Sequence, residues 1–272
     1  MSGSQLALLG GPFGGGAVGD PYWNNVSLLS GTTATNAGQN NTFLDSSSNA
    51  FSVTRNGNTT QGTFTPFSQA DGYWSSAFNG TDGWLQIANN TAFDMGSGDF
   101  TIEGFFYQVP GGGTDQVISA KYEAGNQASW YISTTSSGTN WSIYLYWSDS
   151  TNTKIYGGAA PSVNQWHHFA LQRNGNTVEF YVDGLRLTQV STTKTMRTTT
   201  SGVAIGQTGN GYGSEWFSGY ISNIRIRKGS YTYSGATYTV PTSPLTAVTN
   251  TVFLTCQSNR MVDNSTNGKR IS

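Results

Sequence analysis

The stretch that decides the fold is WHHFALQRNGNTVEFYVDGLRL, residues 166–187, where two short apolar runs flank Asn174-Gly175 and the second run is followed by Asp183-Gly184. Asn-Gly and Asp-Gly readily adopt the positive backbone angles of a tight hairpin turn. The pattern therefore predicts three antiparallel strands in a meander. Because side chains two apart share one face of a strand, one face of the middle strand is predicted to lie in the core: Val178, Phe180 and Val182.

Outside this stretch the chain continues in short apolar or alternating runs separated by Gly, Asn, Asp and Ser, as expected for strands. Examples are residues 73–78, 100–107 and 141–147. In the last of these, the apolar positions alternate with polar ones, so they should face inward from one sheet against a second sheet that includes Ile102 and Phe106. The inward positions would be Trp141, Ile143, Leu145 and Trp147.

Composition favours the same all-β class. The 272 residues include 13 basic and 14 acidic side chains, or 10% charged, where a typical soluble domain carries roughly a quarter. Amphipathic helices keep a charged face in water, whereas strands can present Thr, Ser, Asn and Tyr. With 8 Trp, 14 Tyr and 14 Phe, the chain is also too aromatic to be disordered.

The charge and cysteine content excludes several functions. The formal net charge is -1 and the basic residues are scattered, which is unlike a nucleic-acid binder. No stretch approaches the roughly 18 consecutive apolar residues of a membrane-spanning helix, so no membrane partner is expected. Cys256 is the single cysteine, which rules out an intrachain disulfide and fits assembly in a reducing cytosol.

Two regions differ in organisation. Residues 1–21 contain GGPFGGG at 10–16, a sequence with high chain entropy and little to bury, and are predicted to form a flexible arm. Residues 22–272 are predicted to form one β-sandwich domain, because sandwiches of this length commonly fold as a unit.

Several motifs resemble a concanavalin A-like jelly roll, in particular the laminin G-like subgroup found in many phage virion proteins. In the family's order they are FNGTDGWL (78–85), GDFTIEGFFY (98–107), WHHFALQRNG (166–175), FYVDG (180–184), AIG (204–206) and GYISNIRI (219–226). The resemblance covers about 73–244 and implies two antiparallel sheets. The flanks TFTPF (63–67), YTVP (238–241) and PL (244–245) resemble those of such domains in tailed phages of bacteria, including cyanobacteria.

No catalytic residues are predicted. The resemblance implies a Glu-x-Asp-x-x-Glu strand in the enzymes of this fold, and the chain has no such string. Asp99 and Glu103 share a strand face but are roughly 13 Å apart at about 3.3 Å per residue, whereas a retaining glycosidase pair is about 5–5.5 Å apart. His167 and His168 are adjacent, so they point to opposite faces and cannot jointly hold one metal.

Two kinds of binding site remain as candidates. Laminin G-like relatives often hold Ca²⁺ at a loop rim, and the resemblance implies Asp82, Asn89 and Asp94 as ligands here, although the same residues serve as turn and cap residues. For glycan binding, Tyr144 and Tyr146 would project from the face opposite the inward tryptophans, and Tyr212 and Trp216 lie in or beside a glycine-rich loop. Such aromatic rings can stack on sugars, or simply pack.

These features lead to three functional hypotheses. The first is a non-enzymatic phage virion structural protein, a capsid decoration, fibre or tail surface component that assembles in the host cytoplasm. Its partners on the virion surface would be other capsid or tail proteins and further copies of itself as a homo-oligomer. The alternative is an adsorption protein that binds bacterial surface polysaccharide on the host. The third, disfavoured by the missing carboxylate pair, is a polysaccharide depolymerase.

Overall fold

A computed structural model describes residues 43, 45, 47–62, 64–67, 74–123, 127–135, 139–209 and 215–257. Within them the chain is all β, with one 3-10 turn at Thr91–Phe93 and no α-helix, and therefore no helix able to cross a membrane. The predicted arm, 1–21, lies outside the described residues. The strands are β1 (Val53–Asn56), β2 (Thr60–Gly62), β3 (Ser75–Asn79), β4 (Trp84–Ile87), β5 (Phe100–Gln108), β6 (Asp115–Glu123), β7 (Gln127–Thr135), β8 (Trp141–Tyr146), β9 (Asn152–Tyr156), β10 (Trp166–Asn174), β11 (Thr177–Val182), β12 (Leu185–Ser191), β13 (Val203–Ile205), β14 (Ser218–Lys228) and β15 (Thr251–Thr255).

The strands form two antiparallel sheets, as predicted. The seven-stranded sheet has the order β1-β4-β13-β6-β7-β8-β9, and the eight-stranded sheet has the order β12-β11-β10-β5-β14-β3-β2, with β15 also paired to β14. Strands that are neighbours in a sheet are often distant in sequence. For example, β5 lies between β10 and β14. The architecture is a jelly-roll sandwich.

The core lies between the sheets and contains the predicted inward residues of 141–147. Trp141, Ile143, Leu145 and Trp147 are each at most 1% exposed. The Trp141 ring lies 5.3 Å from that of Phe106 and 5.0 Å from that of Phe180, both on the eight-stranded sheet. Each such side chain contributes about 1.5–3 kcal/mol on full burial, which stabilises a chain with few ion pairs.

The meander of residues 166–187 is confirmed as β10, β11 and β12, with one correction. Asp183 and Gly184 form the second turn at φ angles of +49° and +80°. The first turn lies one residue later than Asn174-Gly175, because Asn174 pairs with Thr177 and the loop is Gly175-Asn176. Gly175 has φ +59°, a left-handed backbone angle that glycine adopts without steric cost.

A long connection between β14 and β15, residues 229–250 and here called the strap, packs on the outer face of the eight-stranded sheet. Its Tyr233 and Tyr238 rings stack with centroids 3.6 Å apart. Under the strap, Glu179 and Tyr181 are buried although they point away from the core. The predicted core face of β11 is confirmed, and the strap explains why the opposite face of that strand is buried too.

A buried charge network joins the strap to the sheet. Arg225 donates from Nε and Nη2 to Oε1 of Glu103 at 2.9 and 2.7 Å. The Tyr233 hydroxyl donates to Oε2 of Glu103 at 2.6 Å, and the Tyr238 hydroxyl lies 2.6 Å from Nδ1 of His168. Burial by itself raises the pKa of Glu103, but hydrogen bonding and ion pairing with His168, Arg225 and Tyr233 more than offset it and hold that pKa below its ordinary value.

Candidate functional site

Four tyrosines lie together on the outer face of the seven-stranded sheet, and we call this surface the tyrosine face. They are Tyr122 on β6, Tyr131 on β7, and Tyr144 and Tyr146 on β8. The strands bring them together because Tyr131 and Tyr144 are direct cross-strand partners. Strand alternation then places Tyr146 on the same face as Tyr144 and opposite Trp141 and Trp147.

The rings of the tyrosine face form a contiguous aromatic surface. Centroid separations are 5.8 Å for Tyr122–Tyr131, 5.7 Å for Tyr122–Tyr146, 6.3 Å for Tyr131–Tyr144 and 6.4 Å for Tyr144–Tyr146. The rings rest on Val117 and Ala120, and all but Tyr131 are partly exposed. Burial is the main cause that raises the pKa of the Tyr131 and Tyr146 phenols, which therefore stay neutral hydrogen-bond donors at ordinary pH.

Charged groups border the tyrosine face. The Tyr131 hydroxyl donates to Oδ2 of Asp115 at 3.0 Å. Glu215 interacts with the same tyrosine; its pKa is raised by burial and then by the Asp115 charge. The Lys154 ammonium lies 5.5 Å from the Tyr144 ring centroid. The surface thus combines apolar ring faces with acceptors and a cationic donor.

A buried hydroxyl lies on the same strand face as Tyr131. Ser129 is two residues earlier on β7 and is 0% exposed. Its Oγ has no hydrogen-bond partner within the part of the chain that the structure describes. A buried polar atom without a partner costs free energy, so this hydroxyl is a local cost of burial beneath the tyrosine face.

The predicted glycan residues have different placements. Tyr144 and Tyr146 are neighbours on one face, as expected from their spacing. Trp216 is half-buried before β14, where its carbonyl accepts a hydrogen bond from the Gly113 N–H at 3.1 Å. Tyr212 lies outside the described residues. Sequence reasoning missed Tyr122, Tyr131, Asp115 and Glu215, because only the pairing of β6, β7 and β8 brings them to Tyr144.

The three predicted calcium ligands separate into two places. Asp82 is exposed in the turn after β3, where its Oδ1 accepts a hydrogen bond from Asn79 Nδ2 at 2.7 Å. Asn89 and Asp94 instead lie together around the buried Lys121 ammonium, whose Nζ is 2.9 Å from Asn89 Oδ1 and 3.3 Å from Asp94 Oδ1. The carbonyl and hydroxyl of Thr199 complete this shell, both at 3.0 Å.

These oxygens do not fit a calcium site while Lys121 is charged. A dication held by Asn89 and Asp94 would face the ammonium that both already contact, and like charges at such distances repel. Burial lowers the pKa of Lys121, while the Asp94 carboxylate opposes that shift. The calcium assignment stays a prediction.

The residues considered for catalysis have structural partners. Asp99 Oδ1 accepts the Gly175 N–H at 2.7 Å, and Glu103 is bound to Arg225. His167 Nδ1 lies 2.6 Å from Asp183 Oδ2, on the turn that follows β11. In the described part of the chain, no group of three or more His, Cys, Asp or Glu residues is arranged to hold a metal.

Two antiparallel sheets closed over an apolar core, with an aromatic outer face, define a lectin-like β-sandwich. Residues 79–234 match the laminin G-like family model described as the concanavalin A-like lectin/glucanases superfamily, and the chain belongs to that superfamily. No curated protein sequence matches the chain.

Solved structures resemble the chain at low identity. The binding domain of Paraclostridial Mosquitocidal Protein 1 is 13% identical over 70% of this chain and 49% of its own, with a TM-score of 0.51. The binding domain of Botulinum neurotoxin serotype G is 10% identical over 70% of this chain and 46% of its own, with a TM-score of 0.51. This chain thus spans about half the length of both, and the likeness shows a shared fold.

Proposed function

We propose that this protein is a non-enzymatic carbohydrate-binding domain that engages sugar rings on the tyrosine face. The observation that carries the proposal is the cluster of four neighbouring tyrosine rings on a sheet surface, three of them partly exposed. Flat aromatic rings present an apolar face to the C–H groups of a sugar, and phenol hydroxyls add directional hydrogen bonds.

The border of the tyrosine face suits hydroxyl-rich ligands. Asp115 and Glu215 can accept hydrogen bonds from sugar hydroxyls, while Lys154 can donate them. The chain as a whole has a formal net charge of -1, so it offers no field that would select a strongly charged polymer. A bacterial surface polysaccharide is the ligand class that we propose, in agreement with an adsorption role.

Substitution of the exposed tyrosines tests this function. Tyr144→Ala and Tyr146→Ala should each weaken binding on an array of bacterial surface glycans about tenfold, because each removes one stacking ring. Tyr231→Ala is the matched control, since Tyr231 is 39% exposed and lies on the strap, next to the other sheet. Unchanged glycan binding by both tyrosine-face variants, with unaltered circular dichroism spectra, would contradict the proposed function.

We also propose that the domain is displayed on a phage virion surface, as a component assembled with capsid or tail proteins and with copies of itself in the host cytoplasm. What supports this is that the flanks resembling those of tailed-phage domains pack as part of the sandwich. Phe67 lies 5.0 Å from Phe105 by ring centroids, and Leu245 and Val240 join the same apolar cluster. The described parts of these flanks therefore pack on the eight-stranded sheet.

Mass analysis of purified particles tests the virion role. The chain should be present at a fixed, symmetric copy number, and deletion of residues 2–20 should lower its incorporation if the arm attaches it. Absence of the chain from particles would contradict the virion role. It would not bear on the proposed glycan binding. If the deletion leaves the copy number of the chain in particles unchanged, only the proposed attachment role of the arm is contradicted.

A depolymerase remains the competing proposal because Asp115 and Glu215 both lie near the Tyr131 hydroxyl. A carboxyl with a raised pKa beside a second carboxylate is the arrangement in which glycosidases place an acid. If the proposed binding function is right, incubation with host polysaccharide releases no reducing ends. Release that is abolished by Glu215→Gln, with binding retained, would assign hydrolysis instead.

A further inference from the structure

A second site candidate lies on the other sheet, where a cavity of about 230 Å³ opens beside the edge strand β2. The sheet register builds it: Tyr220 on β14 is paired with Ala77 on β3, and Ala77 is paired with Thr60 on β2. Asn58, in the turn before β2, and Ser218 at the start of β14 complete the polar lining. The tyrosine face belongs to the other sheet, so the two surfaces are separate.

Several polar groups that line the cavity have no hydrogen-bond partner among the described residues. The amide of Asn58 and the hydroxyls of Thr60, Ser218 and Tyr220 make no hydrogen bond to any residue that the structure describes. Asn79 contrasts with them, since its Oδ1 accepts three N–H groups of the following turn at 3.1–3.2 Å. Several donors and acceptors without a partner in the described part of the chain thus line one small space.

None of the described residues that line the cavity is charged. An ionic ligand entering it would lose hydration without gaining a counter-charge, which is unfavourable. A neutral ligand with several hydroxyls would instead pair with the amide and hydroxyl groups. The lining therefore selects uncharged, hydroxyl-bearing molecules.

One wall of the cavity is aromatic and held in place by other rings. Tyr220 borders the cavity and packs on Phe64, whose ring centroid is 4.7 Å away. Phe64 also packs on Tyr107 at 4.9 Å and on Trp166 at 5.5 Å, and remains 38% exposed. Tyr220 itself has two ring neighbours, Phe64 and, at 6.0 Å, Tyr107, and a ring held by such neighbours can stack on a ligand at little entropic cost.

We infer that this cavity is a second ligand site that binds one neutral sugar ring, stacked on Tyr220 and hydrogen-bonded by Asn58, Thr60 and Ser218. Its volume lies below the about 300–1,000 Å³ of sites that enclose drug-sized ligands, so one ring rather than an oligosaccharide fits it. The inference does not depend on the tyrosine face. If both sites bind, one domain contacts a polysaccharide through two surfaces on different sheets.

Nuclear magnetic resonance titration with monosaccharides tests the inference. The titrated protein is the full chain carrying Tyr144→Ala and Tyr146→Ala, which silences the tyrosine face, and the probes are glucose, galactose, mannose and N-acetylglucosamine. At least one should shift the amide signals of Thr60, Ser218 and Tyr220 with saturable dependence. Adding Thr60→Val and Ser218→Ala should weaken that binding about tenfold, because two hydrogen bonds are lost.

A matched pair provides the control. Thr242→Val and Ser243→Ala make the same chemical changes at exposed strap positions, and binding should not change. Absence of saturable shifts at the cavity with all four sugars would overturn the second site, as would equal binding by the cavity variant and its control. Either result leaves the tyrosine face untested in the parent chain, so the two proposals fail separately.

Discussion

At the residue scale, Lys121 illustrates how one buried charge is held. Its ammonium is enclosed by Asn89, Asp94 and Thr199 at 2.9–3.3 Å, and its side chain is 0% exposed. Breaking a buried pair by removing one partner is costly because the remaining charge is left without compensation. Two of the three residues predicted as calcium ligands, Asn89 and Asp94, thus already contact a cation that the chain supplies.

Substitution of Lys121 should therefore destabilise the fold. Lys121→Met is expected to lower the free energy of unfolding by roughly 3 kcal/mol or more, measured by urea denaturation. Lys194→Met is the control, since its ion pair with Asp149 is about half exposed and such pairs contribute little. An equal effect of both variants would contradict the enclosed-cation interpretation.

The calcium prediction can be tested on the same variants. In the parent protein, Ca²⁺ should leave the melting temperature unchanged, because the Lys121 ammonium repels a dication from Asn89 and Asp94. Lys121→Ala removes that charge and should allow Ca²⁺ to recover part of the lost stability. A calcium-dependent rise in the parent that Asp94→Ala abolishes would instead support the site implied by the family resemblance.

The lowered pKa of Glu103 predicts that the folded protein loses stability in acid. Its pKa lies below the ordinary value of 4.5 in the folded state, so the unfolded chain takes up protons first as the pH falls. The stability contributed by Glu103 is complete above pH 4.5 and is lost as the pH drops towards the lowered pKa. Glu103→Gln should flatten the slope of unfolding free energy against pH below 4.5, measured by urea denaturation at several pH values. Parallel profiles for the variant and the parent would contradict this assignment.

At the scale of elements, the strap and the β11–β12 turn depend on each other. Gly184 has φ +80°, and a Cβ there would lie 2.3 Å from the Tyr238 carbonyl oxygen. Tyr238 N–H also donates to the Gly184 carbonyl at 2.8 Å. Close approach of the two backbones therefore requires glycine, both for its positive φ and for its missing side chain.

Two glycine substitutions separate those requirements. Gly184→Ala should loosen the strap, seen as faster hydrogen exchange at Tyr238 and its neighbours, and destabilise the protein by more than about 1 kcal/mol. Gly175→Ala meets the same restriction at φ +59°, but a Cβ there has nothing within 4 Å. Gly175→Ala should therefore lower the stability only by the backbone strain. Hydrogen exchange at the strap amides should stay unchanged. Equal rates of amide hydrogen exchange in the strap of the two variants would contradict a specific contact at Gly184.

At the scale of the whole molecule, low charge predicts how binding responds to salt. With 13 basic and 14 acidic residues in 272 and proposed glycan sites built mainly from rings and hydroxyls, little of the affinity should be Coulombic. Glycan affinity is expected to change less than about twofold when NaCl is raised from roughly 0.05 to 0.5 M, because screening acts on charge pairs. A steep loss of affinity with salt, measured by calorimetry, would indicate an anionic ligand held by Lys154 and its neighbours.

The sequence by itself determined the fold class and the inward faces of the strands. Alternation in a strand has a period of two and turns have their own residue preferences, so the core positions of β8 and β11 and the Asp183-Gly184 turn could be predicted from local pattern. The adjacency of Tyr144 and Tyr146 was predictable for the same reason. These features depend on residues close together in the chain.

Only the tertiary structure decided which distant residues meet. The order of the sheets brings Tyr131 beside Tyr144 and Asp115 near Glu215, and it encloses Lys121 between Asn89, Asp94 and Thr199. The strap buries a strand face that alternation alone would leave in water, and the cavity at Tyr220 exists because β14, β3 and β2 lie side by side. Strand pairing is set by the packing of the complete core, which no local stretch of sequence encodes.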